Sequence, residues 1–311
     1  MPRRGDIRRA LALVDKTVLL WGVVLLGLLG PAVSLAQAGV VDDAGNAVAL
    51  AQPARRIVSL APHATELLFA VGAGPQVVGV MAFSDYPPPA RALPRVGGYA
   101  GLDLEAIVAL RPDLVVAWSS GNPAAHIDRL RALGMAVFVS EPRRLDDIPR
   151  TLDRLGALTG HRDEARRAAA AFRARLAALA QRHRERPKVR VFYQVWDRPL
   201  VTLNGEHLVN HLIELCGGRN VFAALPVLAP HVGVEAVIAA APQAIVASGT
   251  AAAASRWLFA WRRWDTLPAV AAGNLFMIHP DLGLRPTPRI LEGAQALCGA
   301  LEQARRSLAL N

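Results

Sequence analysis

One segment of this chain occurs twice. Leu102-Asp-Leu-Glu-Ala-Ile-Val-Ala-Leu-Arg-Pro-Asp-Leu-Val-Val-Ala-Trp118 returns without a gap as Val232-Gly-Val-Glu-Ala-Val-Ile-Ala-Ala-Ala-Pro-Gln-Ala-Ile-Val-Ala-Ser248. Glu105 answers to Glu235, Pro112 to Pro242, and the apolar run 114–117 to 244–247. Each copy predicts a short helix with an acidic residue near its start, where the positive end of the helix dipole favours it. Proline closes the helix, because it pushes the residue before it out of the α region. The run that follows predicts a strand apolar on both faces, as buried parallel strands are. A helix–strand unit repeated about half a chain apart predicts two lobes of one design. Chance likeness between two Ala/Val-rich stretches is the alternative.

The chain of 311 residues is long enough for two domains, each with its own core. It opens as a secretory signal peptide does, over residues 1–38. Arg3, Arg4, Arg8, Arg9 and Lys16 form a basic region, Val18–Leu29 an apolar one, and Ala36-Gln37-Ala38 a small-x-small cleavage site. The apolar run is short for a membrane span, which needs roughly 20 residues. An uncleaved anchor is the alternative. Five basic and two acidic side chains leave with this segment, lowering the formal charge from +10 to about +7. That balance does not point to nucleic acid, because the arginines are scattered and export removes the partner. Cys216 and Cys298 are the two cysteines. In an oxidising compartment the pair reads as one disulfide, with two buried free thiols as the alternative.

Strand and helix alternate along the rest, which predicts doubly wound, parallel-rich sheets. The N-terminal lobe covers 39–144. Its strands include Arg55–Ala61 and Val77–Met81, with Pro62–Glu66 opening the helix Leu67–Val71. Residues 145–187 read as connector helices. The stretch from Asp163 to Arg186 lacks Gly and Pro, carries acids at its start and bases at its end, and predicts a strut roughly 36 Å long. The C-terminal lobe, 188–311, restarts the plan with strand Val189–Gln194, helix Glu206–Cys216, an aromatic helix Trp257–Trp264 and a closing helix Pro288–Leu308. The fold class is therefore α/β: two lobes joined by one long helix, with a ligand cleft between them.

These motifs are similar to those of the periplasmic solute-binding proteins of ABC importers whose lobes are joined by a single long helix. Within that family the chain most resembles the cobalamin-binding members. The resemblance spans about Arg55 to Leu308. It rests on Ile57–Leu67, Phe83-Ser-Asp-Tyr-Pro87, Asp103–Val116, Leu215-Cys-Gly-Gly-Arg-Asn-Val-Phe222 and Arg285-Pro-Thr-Pro-Arg-Ile290. It implies a corrinoid held in the cleft by Phe83, Tyr86, Tyr99, Trp118, Trp196, Asp281, Leu282 and Arg285. It implies no cofactor, since cobalamin is the transported ligand, and no catalysis. It also implies a monomer in the periplasm whose Glu105 and Glu235 dock on a dimeric membrane permease. Ordinary helix-start acids are the alternative for those two glutamates. The chain departs from the family at Ala229, where a large aromatic is expected, at Tyr99, which replaces a tryptophan, and at the shifted aromatic of Val195-Trp196. Leu282-Gly283 is also smaller than expected.

Two neighbouring ligand classes follow from the same family. Haem would draw an iron ligand from His63, Tyr86 or Tyr99. An anionic ferric siderophore would use Arg95, Arg198 and Arg285. No GxSxG elbow, HExxH helix or Walker loop supports an exported enzyme.

Overall fold

A computed structural model describes residues 38–98 and 101–309. The signal-peptide segment, up to residue 37, and Tyr99 lie outside the described residues. The chain enters through the hairpin β1 (Ala38–Val41) and β2 (Ala47–Leu50), and then builds β3 (Ile57–Ser59), α1 (Pro62–Ala70) and β4 (Val77–Val80). The two-residue strands β5 (Gly97–Gly98) and β6 (Gly101–Leu102) lead into α2 (Leu104–Ala109) and β7 (Leu114–Trp118). The first lobe closes with α3 (Ala124–Ala132) and β8 (Val137–Ser140). Helix α1 starts five residues earlier than the sequence reading has it, because Pro62 sits in the first turn, where its missing N–H costs nothing.

Next come α4 (Asp147–Thr159) and the long α5 (Arg162–His183). At 22 residues, α5 is about 33 Å long. The second lobe comprises β9 (Val189–Gln194), the hairpin β10 (Trp196–Asp197) and β11 (Leu200–Val201), α6 (Leu208–Leu215), β12 (Gly218–Asn220), α7 (Val234–Ala240) and β13 (Ala244–Ser248). It ends with α8 (Ala251–Trp261), α9 (Pro268–Ala271), β14 (Leu275–Ile278), α10 (Pro280–Gly283) and α11 (Ile290–Ala309). Helix α8 begins six residues before the predicted Trp257, since Thr250 caps it by accepting from the Ala253 N–H.

Two four-stranded parallel sheets form the lobes, in the orders β4-β3-β7-β8 and β12-β9-β13-β14. The repeated segment supplies the third strand of each, β7 and β13, both buried along their length except at Trp118. The likeness extends beyond the sequence match. Arg111 and Ala241, the residues before the equivalent prolines, both turn left-handed, at φ 44° and 46°. Arg56 and Arg190 donate through Nε and Nη2 to the carbonyl at the end of the repeated helix, Leu110 in one lobe and Ala241 in the other. A guanidinium fork thus caps the negative helix end twice.

Alternate residues of β3, β7 and β8 face two apolar layers. Val58, Val115 and Val139 pack on Ile107 and Leu130, while Ile57, Val116 and Phe138 pack toward Leu67 and Leu152. The second layer does not stop at the lobe. It runs through Phe172 and Leu179 of α5 to Val191, Tyr193, Ile213 and Leu297 of the second lobe as one continuous cluster. Cys216, just after α6, is bonded to Cys298 of α11, 82 residues away, so the pair is the disulfide the sequence indicates and not two free thiols.

Candidate functional site

Parallel sheets gather loops at the carboxyl ends of their strands, and ligands bind there. In the first lobe those loops follow β3, β4 and β7. Trp118 ends β7, and its ring is held from two sides. The His63 ring meets it edge-on, with centroids 5.5 Å apart. Gly121 lies so close that a Cβ there would fall inside the indole. Trp118 borders two cavities. One of about 380 Å³ lies within the first lobe beside Leu60, Pro62, Met81, Phe83 and Pro123. The other, about 580 Å³, lies between the lobes, with Ser120 and Glu141 on one side and His207, His211, Leu228 and Leu284 on the other.

Phe83 follows β4 with a left-handed backbone, φ 64°, and is 54% exposed. That conformation is uncommon for a bulky residue. Trp196 opens the β10–β11 hairpin and is 56% exposed. Its Nε1 donates to the Arg198 carbonyl at 3.2 Å, and the Trp257 ring backs it at 6.1 Å. Of these rings, Phe83 borders the first-lobe cavity together with Trp118, and Trp196 lines neither cavity. Leu282 is half-buried on α10.

Asp281 and Arg285 form the expected pair, at 2.8 Å, but as part of a larger assembly. Arg285 Nη1 also meets Glu66 Oε1 at 3.1 Å and Asp85 Oδ1 at 3.0 Å, and its Nη2 donates to the Phe83 carbonyl. Arg289 grips the same glutamate with two donors, Nη2 to Oε1 at 2.7 Å and Nε to Oε2 at 2.9 Å. Glu66 is only 4% exposed. The network joins the lobes: Glu66 and Asp85 belong to the first, Asp281, Arg285 and Arg289 to the second. Tyr86 takes part through its ring, with the Arg289 guanidinium carbon 3.6 Å from the centroid. Burial raises the Asp85 carboxyl, yet the hydrogen bond and charge of Arg285 hold it below its usual range. Arg289 is raised, chiefly by its hydrogen bond to Glu66, against the effect of burial.

Two histidines are kept neutral. Burial, followed by the charge of Arg285, lowers His63 to about 3. Burial, followed by repulsion from His211, lowers His207 to about 4. His207 Nδ1 accepts from the Val209 N–H as the cap of α6, so its proton sits on Nε2.

With this geometry in hand, comparison with known proteins is decisive. Residues 57–282 match the periplasmic binding protein family. The chain belongs to that family. A vitamin B12-binding protein of Yersinia pestis (strain Pestoides F) is 40% identical over 249 residues, which cover 80% of this chain and 86% of that one. The crystal structure of the periplasmic vitamin B12-binding protein BtuF of Vibrio cholerae superposes with a TM-score of 0.75 at 36% identity, covering 81% of this chain and 98% of that one. The periplasmic heme-binding protein RhuT from Roseiflexus sp. RS-1, in apo form, gives a TM-score of 0.72 at 26% identity, over 80% and 98%. Family membership makes this a binding protein and not an enzyme.

Several residues of this periplasmic binding protein's cleft escaped the sequence reading. Glu66 and Arg289 lie inside segments that the reading singled out only as family markers. Their signal was a glutamate beside the apolar Leu67 and Leu68, and two arginines four apart at 285 and 289. Leu228, 46% exposed, borders the interlobe cavity next to Ala229, where the family pattern calls for an aromatic. Among the described residues no helix is long and apolar enough to cross a membrane.

Proposed function

We propose that this binding protein captures cobalamin or a related corrinoid between lobes 39–144 and 188–311, spanned by 145–187. It acts as a monomer in the periplasm and hands its ligand to the permease dimer of an ABC importer. The observation that carries this reading is the composition of the cleft: aromatic rings around a floor whose arginines are already paired. A corrinoid is a broad disc with an amide fringe. Phe83, Trp118 and Trp196, with Tyr99, offer large contact area at low rotamer cost. Asp281, Leu282 and Arg285 from the second lobe and Tyr86 from the first complete the site, where carboxylate and guanidinium suit amide donors and acceptors. Similarity to vitamin B12-binding proteins along most of the chain supports the same ligand.

The neighbouring ligand classes fit less well. A siderophore needs convergent, unpaired arginines. Arg95 donates to the carbonyls of Met81 and Ser84, Arg198 is solvent-exposed beside Asp197, and Arg285 has three carboxylates around it. Haem needs an open imidazole or phenol for its iron. His63 is buried against Trp118 with Nε2 3.4 Å from Ser140 Oγ, which closes it to iron, whereas Tyr86 is 41% exposed with Arg289 stacked on its ring, so the haem reading rests on that phenol alone among the described candidates.

Tryptophan fluorescence and calorimetric titration with cyanocobalamin, haemin and a ferric siderophore in parallel test the reading. The expected outcome is saturable one-to-one binding of cyanocobalamin, weakened by about 2 kcal/mol in Trp118→Ala, as for a buried aromatic anchor. Binding of haemin or siderophore with no response to cyanocobalamin would sink the corrinoid assignment and leave a carrier of another ligand.

A further inference from the structure

Glu66 has an unusual position for a carboxylate. It lies on α1 among apolar neighbours, nearly shut off from water, and each of its oxygens is occupied by an arginine from the opposite lobe. A buried carboxylate is tolerable only when so paired. The pairing acts equally on the arginines. Arg289 spends its Nε and Nη2 on Glu66, a bidentate fork, and its flat face on Tyr86. Arg285 spends Nη1 on Glu66 and Asp85, and Nη2 on Asp281 and the Phe83 carbonyl. Three carboxylates therefore meet two guanidinium groups, and both guanidinium forks are engaged by carboxylates of the protein itself. Around them, the Arg91 charge also reaches Asp85, His279 Nδ1 stands 3.8 Å from Asp281, His63 is neutral, and Arg91 and Arg95 direct their donors to backbone carbonyls of their own loop.

We propose that Glu66 sets the charge class of ligand that the cleft accepts, by converting a two-arginine anion receptor into a floor that favours amide-fringed over carboxylate-fringed macrocycles. The inference rests on the corrinoid reading above and deepens it. A carboxylate entering this floor finds both arginine forks engaged and faces the carboxylates that already hold them. An amide finds acceptors in Asp281 and Asp85, which are partly open to the cleft, and incurs no charge repulsion. Asp281 and Arg285 alone would not discriminate in this way, since as an isolated pair they carry no net charge.

The test uses two ligands with one cobalt–corrin core, dicyanocobinamide with its amide fringe and dicyanocobyrinate with side-chain carboxylates, titrated into the mature protein at low and high salt. Cyanocobalamin is the control for the corrinoid reading itself. Wild type is expected to prefer cobinamide. Glu66→Gln is expected to narrow the affinity ratio by about tenfold or more through tighter cobyrinate binding, with an effect that shrinks as salt is raised. Glu66→Asp restores the preference. Arg289→Gln, which removes a positive charge from the floor, moves the ratio the opposite way and stands in if Glu66→Gln does not fold. An unchanged ratio in these variants, or equal loss of both ligands as a merely structural role predicts, overturns the proposal. If wild type binds cyanocobalamin but takes both test ligands equally, the proposal fails and the corrinoid reading stands. If it binds no corrinoid, both fail.

Discussion

Tyr193 is among the largest fully buried side chains, and its hydroxyl has no acceptor or donor in good geometry. Burial pushes it up to about 12, against the pull of the neighbouring Ser248 hydroxyl. Room for it comes from Gly283, where a Cβ would stand 2.7 Å from Tyr193 Oη and 3.4 Å from Ile278 Cγ2. The small residue that departs from the family pattern is therefore one half of a packing pair. Gly283→Ala is expected to lower stability by about 1–3 kcal/mol, the usual cost of overpacking. Tyr193→Phe in the same background removes the atom that is struck, and urea denaturation should show most of the loss recovered. No recovery would mean that Ile278 or the α10 backbone is the true obstacle. The sequence marks Gly283 as odd but cannot name a partner 90 positions away. Glu66 was illegible for a related reason: a glutamate on a short helix reads as a surface residue until the opposite lobe is brought against it. Trp118 was legible because it ends an apolar run behind a proline, which puts it at a strand's carboxyl end.

At the scale of elements, the repeat was the most legible feature, since helix-stop proline and strand are encoded within 17 residues. The arginine caps at Leu110 and Ala241 were not, because Arg56, just before β3, and Arg190, in β9, come from segments far away in sequence. The two-residue strands β5, β6, β10 and β11 carry too few residues for any periodicity to show. What the repeat displays is a matched pair of carboxylates. Glu105 and Glu235 occupy the first turns of α2 and α7, both are exposed, and among the described residues neither forms an ion pair. Equivalent acids on two equivalent lobes suit a partner made of two equivalent subunits, each presenting an arginine. Reversing both, Glu105→Arg with Glu235→Arg, is expected to abolish corrinoid uptake in a reconstituted importer while calorimetric affinity stays within about twofold, because surface charges away from the cleft contribute little to ligand binding. Normal uptake by the double variant would remove these residues from the docking face.

The whole molecule couples its lobes through the cluster that crosses α5 and through the Glu66 network, so acid should act on both together. His63 in the first lobe and His207 in the second are lowered to about 3 and about 4. Unfolded, both would bind a proton near pH 6.5. Between those values the unfolded chain holds more protons than the native one, so stability is complete above about pH 6.5 and is lost as pH falls toward the native values. From pH 6.5 to 5 each histidine should remove about 2 kcal/mol, following 1.4 kcal/mol per unit. Asp85 adds nothing in that window, since its lowered carboxyl withdraws stability only below the ordinary carboxylate range. Urea unfolding of the mature protein across this interval is expected to show uptake approaching two protons. His63→Gln, which keeps a polar group near Ser140 but cannot titrate, should reduce the uptake by one and leave the His207 share intact. A slope unchanged by that substitution would mean that His63 is charged in the native protein. A further positive charge would then stand beside Arg285, and the cleft floor would disfavour a carboxylate less.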